Sequence, residues 1–130
     1  VISFFAAELP ENKDLKIALV APASDTLSLS NMFFNQMKIK DKEVQKYFIK
    51  RIEILGKHPI EWFSIKRCLE TINSQVLWVH DKFDRITPVK DAYIVQKLKL
   101  DNVQFIFTER LGHRKIYRDE KVVKNIVDFL

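Results

Sequence analysis

Three short runs of apolar residues stand out along the chain: Lys16 to Pro22 (Lys-Ile-Ala-Leu-Val-Ala-Pro), Gln75 to His80 (Gln-Val-Leu-Trp-Val-His) and Val103 to Phe107 (Val-Gln-Phe-Ile-Phe). Continuous apolarity between turn residues, rather than strict alternation, is the pattern of a parallel strand covered on both faces. From Asp25 to about Ser74 no strand pattern occurs. Apolar residues there recur at helical spacing, as in Val44, Tyr47, Phe48, Ile52 and Leu55, with Gly56 as a stop, and Pro59 opens a further helix. The last helix of this stretch is expected to reach about Ile72. Pro88 is predicted at the first position of a helix running to about Leu98. Asp119 is predicted to cap a closing helix to Leu130, with Val122, Val123, Ile126, Val127, Phe129 and Leu130 available to face a sheet. Val1 to Leu9 reads as a helix ended by Pro10.

Strand, helices, strand, helix, strand, helix is the rhythm of βαβ units, so the expected class is α/β: a three-stranded parallel sheet flanked by helices. Residues 25–74 read as a helical insertion over one edge of a single domain, 1–130, since no linker or repeat divides the chain. Composition fits a packed protein of this size, with 47% hydrophobic and 30% charged residues. No apolar run approaches the roughly 18 residues needed to cross a bilayer. The one cysteine, Cys68, cannot form an internal disulfide and reads as an inert thiol in a helix; with no leader pattern ahead of the first strand, the expected location is cytoplasmic. The formal charge is +5, but the 22 Lys and Arg are interleaved with 17 Asp and Glu, apart from Lys38, Lys40 and Lys42, so no nucleic-acid partner is expected. Because the chain opens on Val1 and is apolar at once, it is expected to continue upstream.

Candidate chemistry lies after the second and third strands. In an open parallel sheet, ligands bind beyond the carboxyl ends of the strands. Asp84 falls there in Asp-Lys-Phe-Asp-Arg-Ile-Thr-Pro, and His113 in Leu-Gly-His-Arg. A histidine whose tautomer and developing charge are managed by a carboxylate is the base of a nucleophilic triad. Asp81 is the rival acid, and its spacing to Pro88 is the less suitable. The grouping of His80 with Asp81 and Asp84 invites a metal-site reading, but neighbouring strand residues point to opposite faces and no second histidine stands at ligand spacing. No metal and no cofactor are expected. Met32, Phe33, Phe34 and Met37 could line an acyl pocket, against the plainer reading that they pack a helix.

The stretch Val76-Leu-Trp-Val-His-Asp-Lys-Phe-Asp-Arg-Ile-Thr-Pro88 resembles the strand-to-acid loop of the α/β-hydrolase family. Leu111-Gly-His-Arg-Lys-Ile, followed by Arg118-Asp-Glu and a Val/Ile/Phe-rich helix, is similar to that family's terminal histidine segment. Lys16 to Pro22 looks like the family strand after the nucleophile helix, and Val1 to Pro10 like that helix. The resemblance implies the C-terminal part of a serine hydrolase of esterase, lipase or thioesterase type. Asp84 would be the catalytic acid, His113 the catalytic base, and residues 25–74 a helical lid. The family's Gly-x-Ser-x-Gly elbow would fall just before Val1; Ser3, Ser24, Ser28, Ser30, Ser64 and Ser74 lie in no such motif. The expectation is an acyl substrate, no catalysis by these residues alone, and self-association through the exposed strand 16–22. The alternatives are a hydrolase-like binding module without chemistry and a basic interaction domain.

Overall fold

In the computed structural model, residues 15–130 are described. The helix expected over Val1 to Leu9 lies outside them. The chain divides into two compact units: a helical unit, Ala23–Arg67, and a sheet unit made of the residues before and after it.

The sheet unit holds three strands, β1 (Lys16–Val20), β2 (Gln75–Asp81) and β3 (Val103–Thr108), in the order β1-β2-β3. All pairs are parallel, with Ile17 opposite Val76 and Trp78 opposite Phe105. The predicted class and the three strand positions hold. The middle strand is apolar on both faces because both are covered: Val76 through Asp81 are all buried. One face, Leu77 and Val79, joins Ala21, Ile116 and Val122 in a core to which Ile126 and Phe129 add. On the other face Trp78 lies near the Phe105 ring, at 5.9 Å between centroids, and Phe107 meets Tyr93. The first strand ends at Val20 rather than Pro22, because Ala21 turns left-handed at φ 44°.

The connection from β2 to β3 carries a helix at Lys90–Gln96 (α4, three helices preceding it among the described residues), which starts two residues after Pro88. Val89 already has helical dihedrals, so the proline stands at the helix entrance, as its fixed φ and missing amide suit. After β3 come a one-turn helix, α5 (Gly112–Lys115), a 3-10 turn at Ile116–Arg118 and the closing helix α6 (Glu120–Phe129). Asp119 caps α6 as predicted, accepting from the amides of Lys121 and Val122. The apolar set expected to face the sheet divides. Val122, Ile126 and Phe129, one stripe at helical spacing, pack on the core, whereas Val123, Val127 and Leu130 are exposed.

The helical unit contains α1 (Thr26–Gln36), α2 (Lys42–Gly56) and the start of α3 (Ile65–Leu69). Asp25 and Asp41 cap the first two by accepting backbone amides. Pro59 opens only a single 3-10 turn, Ile60–Trp62, and α3 stops at Leu69 rather than Ile72. Gly56 has a different reason to be glycine than the expected helix stop. The left-handed residue is Lys57, at φ 59°, while a Cβ on Gly56 would lie 2.2 Å from the Phe63 ring. Of the candidate acyl-pocket residues, Phe34 is buried against Phe48, 5.3 Å away, whereas Phe33 and Met37 are exposed. Packing within the helical unit accounts for Phe34. Cys68 is fully buried. No helix among the described residues is long and apolar enough to cross a membrane.

Candidate active site

The carboxyl ends of β2 and β3 bring together Asp84 and His113, 29 positions apart in the chain. His113 Nδ1 lies 2.9 Å from Asp84 Oδ2. The Asp84 side chain is fully buried, and that of His113 is 24% exposed. An ionised carboxylate only accepts, so Nδ1 must carry the proton and donate, which leaves Nε2 as the basic nitrogen. Among the described residues Nε2 has no hydrogen-bond partner. The histidine stands in the first turn of α5, not in the open loop expected from Leu-Gly-His-Arg. Its neighbour Gly112 takes φ 61°, where a side chain would be strained.

The acid is held by its own loop. Asp84 Oδ1 accepts the amides of Ile86, at 2.8 Å, and Thr87, at 2.9 Å. Its Oδ2 accepts the Thr87 hydroxyl at 3.0 Å as well as the histidine. Burial alone would push this carboxyl up. The Thr87 amide, His113, the Ile86 amide and the Thr87 hydroxyl outweigh it and hold the group below the ordinary aspartate value. Asp84 is therefore charged near neutrality and able to stabilise a positive imidazolium.

Asp81, the rival acid, has other work. The register that sets Asp81 opposite Thr108 lets its Oδ2 accept the Thr108 hydroxyl at 2.9 Å and the Leu111 amide at 3.0 Å. Its Oδ1 accepts the Phe83 amide at 2.9 Å. It thus ties the loop before His113 to the end of β2, across Arg110 and Gly112, both left-handed. Burial raises its carboxyl, and the Leu111 amide, the Thr108 hydroxyl and the Gly112 and Phe83 amides bring it below the ordinary value.

His80 is fully buried behind the acid. Trp78 Nε1 donates to its Nδ1 at 3.1 Å, so the proton sits on Nε2 and is donated to the Thr87 carbonyl at 2.7 Å. Both ring nitrogens are engaged, which leaves neither for a metal ion; among the described residues no cluster of metal-ligating side chains occurs. Thr87 is the residue that pattern reading passes over. Its backbone binds His80 and Asp84, and its hydroxyl lies within 3.1 Å of Ala21 O and His113 Nδ1. The available signal is local: a hydroxyl residue three positions after an aspartate, immediately before a proline, is a natural capping partner.

These two carboxylates should govern acid stability. Each has a folded-state pKa below its unfolded value of about 3.9, so its contribution is complete above that value and is lost as pH falls through the folded one. The urea midpoint is expected to stay level from about pH 7 to pH 5 and to drop below about pH 4. Asp81→Asn should lower the midpoint at neutral pH and flatten the acid limb; an unchanged limb would show that Asp81 is not held this way.

Beside the pair lies a groove of about 710 Å³ lined by Leu111, His113, Arg114, Lys115, Tyr117, Arg118 and Asp119. The Tyr117 ring meets that of His113 edge-on at 5.7 Å, and its hydroxyl donates to Val20 O at 3.2 Å. Burial and the nearby Asp84 charge raise the phenol's pKa, so it stays a donor. A positioned acid–base pair at the open end of a parallel sheet can take a proton from a nucleophile and return it to a leaving group. No protein-family model matches the chain, and no curated protein matches it either.

Proposed function

We propose that Asp84 and His113 are the acid and base of a Ser-Asp-His triad in an α/β-hydrolase-like protein that cleaves an ester, thioester or amide bond. The observation that carries this reading is the 2.9 Å contact between His113 Nδ1 and a fully buried Asp84 carboxylate, from the segments that follow neighbouring parallel strands. A buried, backbone-held carboxylate fixes the Nδ1–H tautomer and leaves Nε2 to accept the serine proton as Oγ attacks the acyl carbon. The imidazolium then returns that proton to the leaving oxygen, sulfur or nitrogen. A water deprotonated by the same Nε2 releases the acid from the acyl-enzyme.

The nucleophile is proposed to lie upstream of Val1, in a strand-to-helix elbow, as the chain order Ser, Asp, His of this family requires. Within the sheet unit, Ser74 is no substitute. It is fully buried at the amino end of β2, roughly 20 Å of strand away from the carboxyl end that bears the pair. Among the described residues the strand order leaves β1 at a sheet edge, where an upstream strand or a second copy would pair with it.

A fluorophosphonate probe applied to an extract of the source cells, followed by capture with antibody to this chain, tests the reading. A labelled serine upstream of Val1 is the expected result. A captured protein that stays unlabelled, in an extract where other serine hydrolases react, would sink the reading and favour a hydrolase-like binding module.

A further inference from the structure

The groove beside His113 has an uneven charge. Arg114, Lys115 and Arg118 line it together with a single acid, Asp119. That carboxylate is already occupied as the cap of α6, its Oδ1 accepting two backbone amides at 3.1 Å. Among the described residues none of the three cations is in an ion pair, although the same unit pairs Lys82 with Glu109 and Lys124 with Asp128. The one-turn helix and the 3-10 turn, 112–118, put positions 114, 115 and 118 close together in space, so their charges act on one small volume. Three cations that make no ion pair among the described residues outnumber the single acid of the groove, and this excess leaves a local positive field beside His113 that concentrates anions.

We propose that this groove is an anion-binding subsite, and that the substrate cleaved at His113 carries a carboxylate or phosphate group held by Arg114, Lys115 and Arg118. The proposal rests on the reading of His113 as the catalytic base and adds the substrate class. Arg114 and Arg118 offer planar donor forks suited to two oxygens of one anion, and Lys115 adds a point charge. Tyr117, with its hydroxyl turned to Val20 O, presents its ring beside His113 as the apolar wall against which the rest of the acyl chain lies.

The test uses the variant Arg114→Gln/Lys115→Gln/Arg118→Gln, whose three positions are exposed, so folding is expected to survive. In the protein extended upstream through the serine, hydrolysis of a neutral nitrophenyl butyrate is compared with that of a nitrophenyl monoester of glutaric acid. In parallel, NMR shifts of the His113 ring protons are followed as glutarate or inorganic phosphate is added. Wild type is expected to prefer the anionic ester by roughly tenfold or more, and the variant to lose that preference while keeping the neutral activity. Glutarate moving the ring signals where phosphate does not assigns a carboxylate site, and the reverse a phosphate site. If neither ester is cleaved but the anion shifts occur in wild type and vanish in the variant, the subsite stands and the hydrolase reading fails. If both esters are cleaved equally by both proteins and no anion moves the His113 signals, the hydrolase reading stands and the subsite is overturned. Salt-sensitive binding of an oligonucleotide, lost in the variant and not competed by glutarate or phosphate, would also overturn it.

Discussion

On the proposed triad, Asp84→Asn, in the protein extended upstream through the proposed serine, is expected to lower turnover about 10⁴-fold with little change in substrate binding. The cause is a misplaced proton. Asparagine can still accept the Ile86 and Thr87 amides through its one oxygen, because both bonds go to Oδ1. Its NH₂ then occupies the place of Oδ2 and donates to His113 Nδ1, which forces the histidine proton onto Nε2, the atom that must be free to accept. The loop keeps its shape while the base is switched off. Circular dichroism should therefore change little, the melting temperature should fall modestly because the stabilising carboxylate charge is lost, and the kinetic loss should appear in kcat rather than KM. A variant within tenfold of wild type would show that the 2.9 Å contact is structural and not catalytic. A variant that unfolds is separated from this case by its melting curve, and His113→Gln then tests the same proton transfer from the other partner.

Trp78→Ala is expected to carry the largest stability cost in the sheet unit, about 3–5 kcal/mol. Trp78 is fully buried in the central strand, lies near Phe105 at 5.9 Å and donates its indole N–H to His80. Truncation opens a cavity beside Phe105 and strands His80 Nδ1 without a donor. In a chain of this size that loss corresponds to a fall in Tm of roughly 10–20 °C by calorimetry. Trp78→Phe separates the two contributions, since it keeps most of the volume and removes the donor alone, at a cost of about 1–3 kcal/mol. Equal losses from the two substitutions would mean that the hydrogen bond to His80, not the ring's bulk, dominates. Because His80 Nε2 binds the Thr87 carbonyl, and Thr87 in turn holds Asp84, Trp78→Phe should also disturb the acid loop.

Sequence alone determined the elements whose signals are local. The three strands were legible because continuous apolar runs suit a sheet covered on both faces, and the order of elements then implied parallel pairing. Asp119 was legible as a cap because capping is settled within three residues. The addresses of Asp84 and His113 followed from strand ends, so the two candidates could be named. Tertiary structure decided which carboxylate meets the histidine. Register places Asp81 opposite Thr108, where it is consumed by Leu111 and Thr108, and leaves Asp84 to reach across 29 residues to His113. It also decided that His80 is locked between Trp78 and Thr87, that Gly56 makes room for Phe63, and that three surface cations gather around one groove. Each of these depends on side-chain distances between segments that no periodicity along the chain encodes. A local pattern reports what a residue does to its own backbone; only the packed register reports which distant residue it will face.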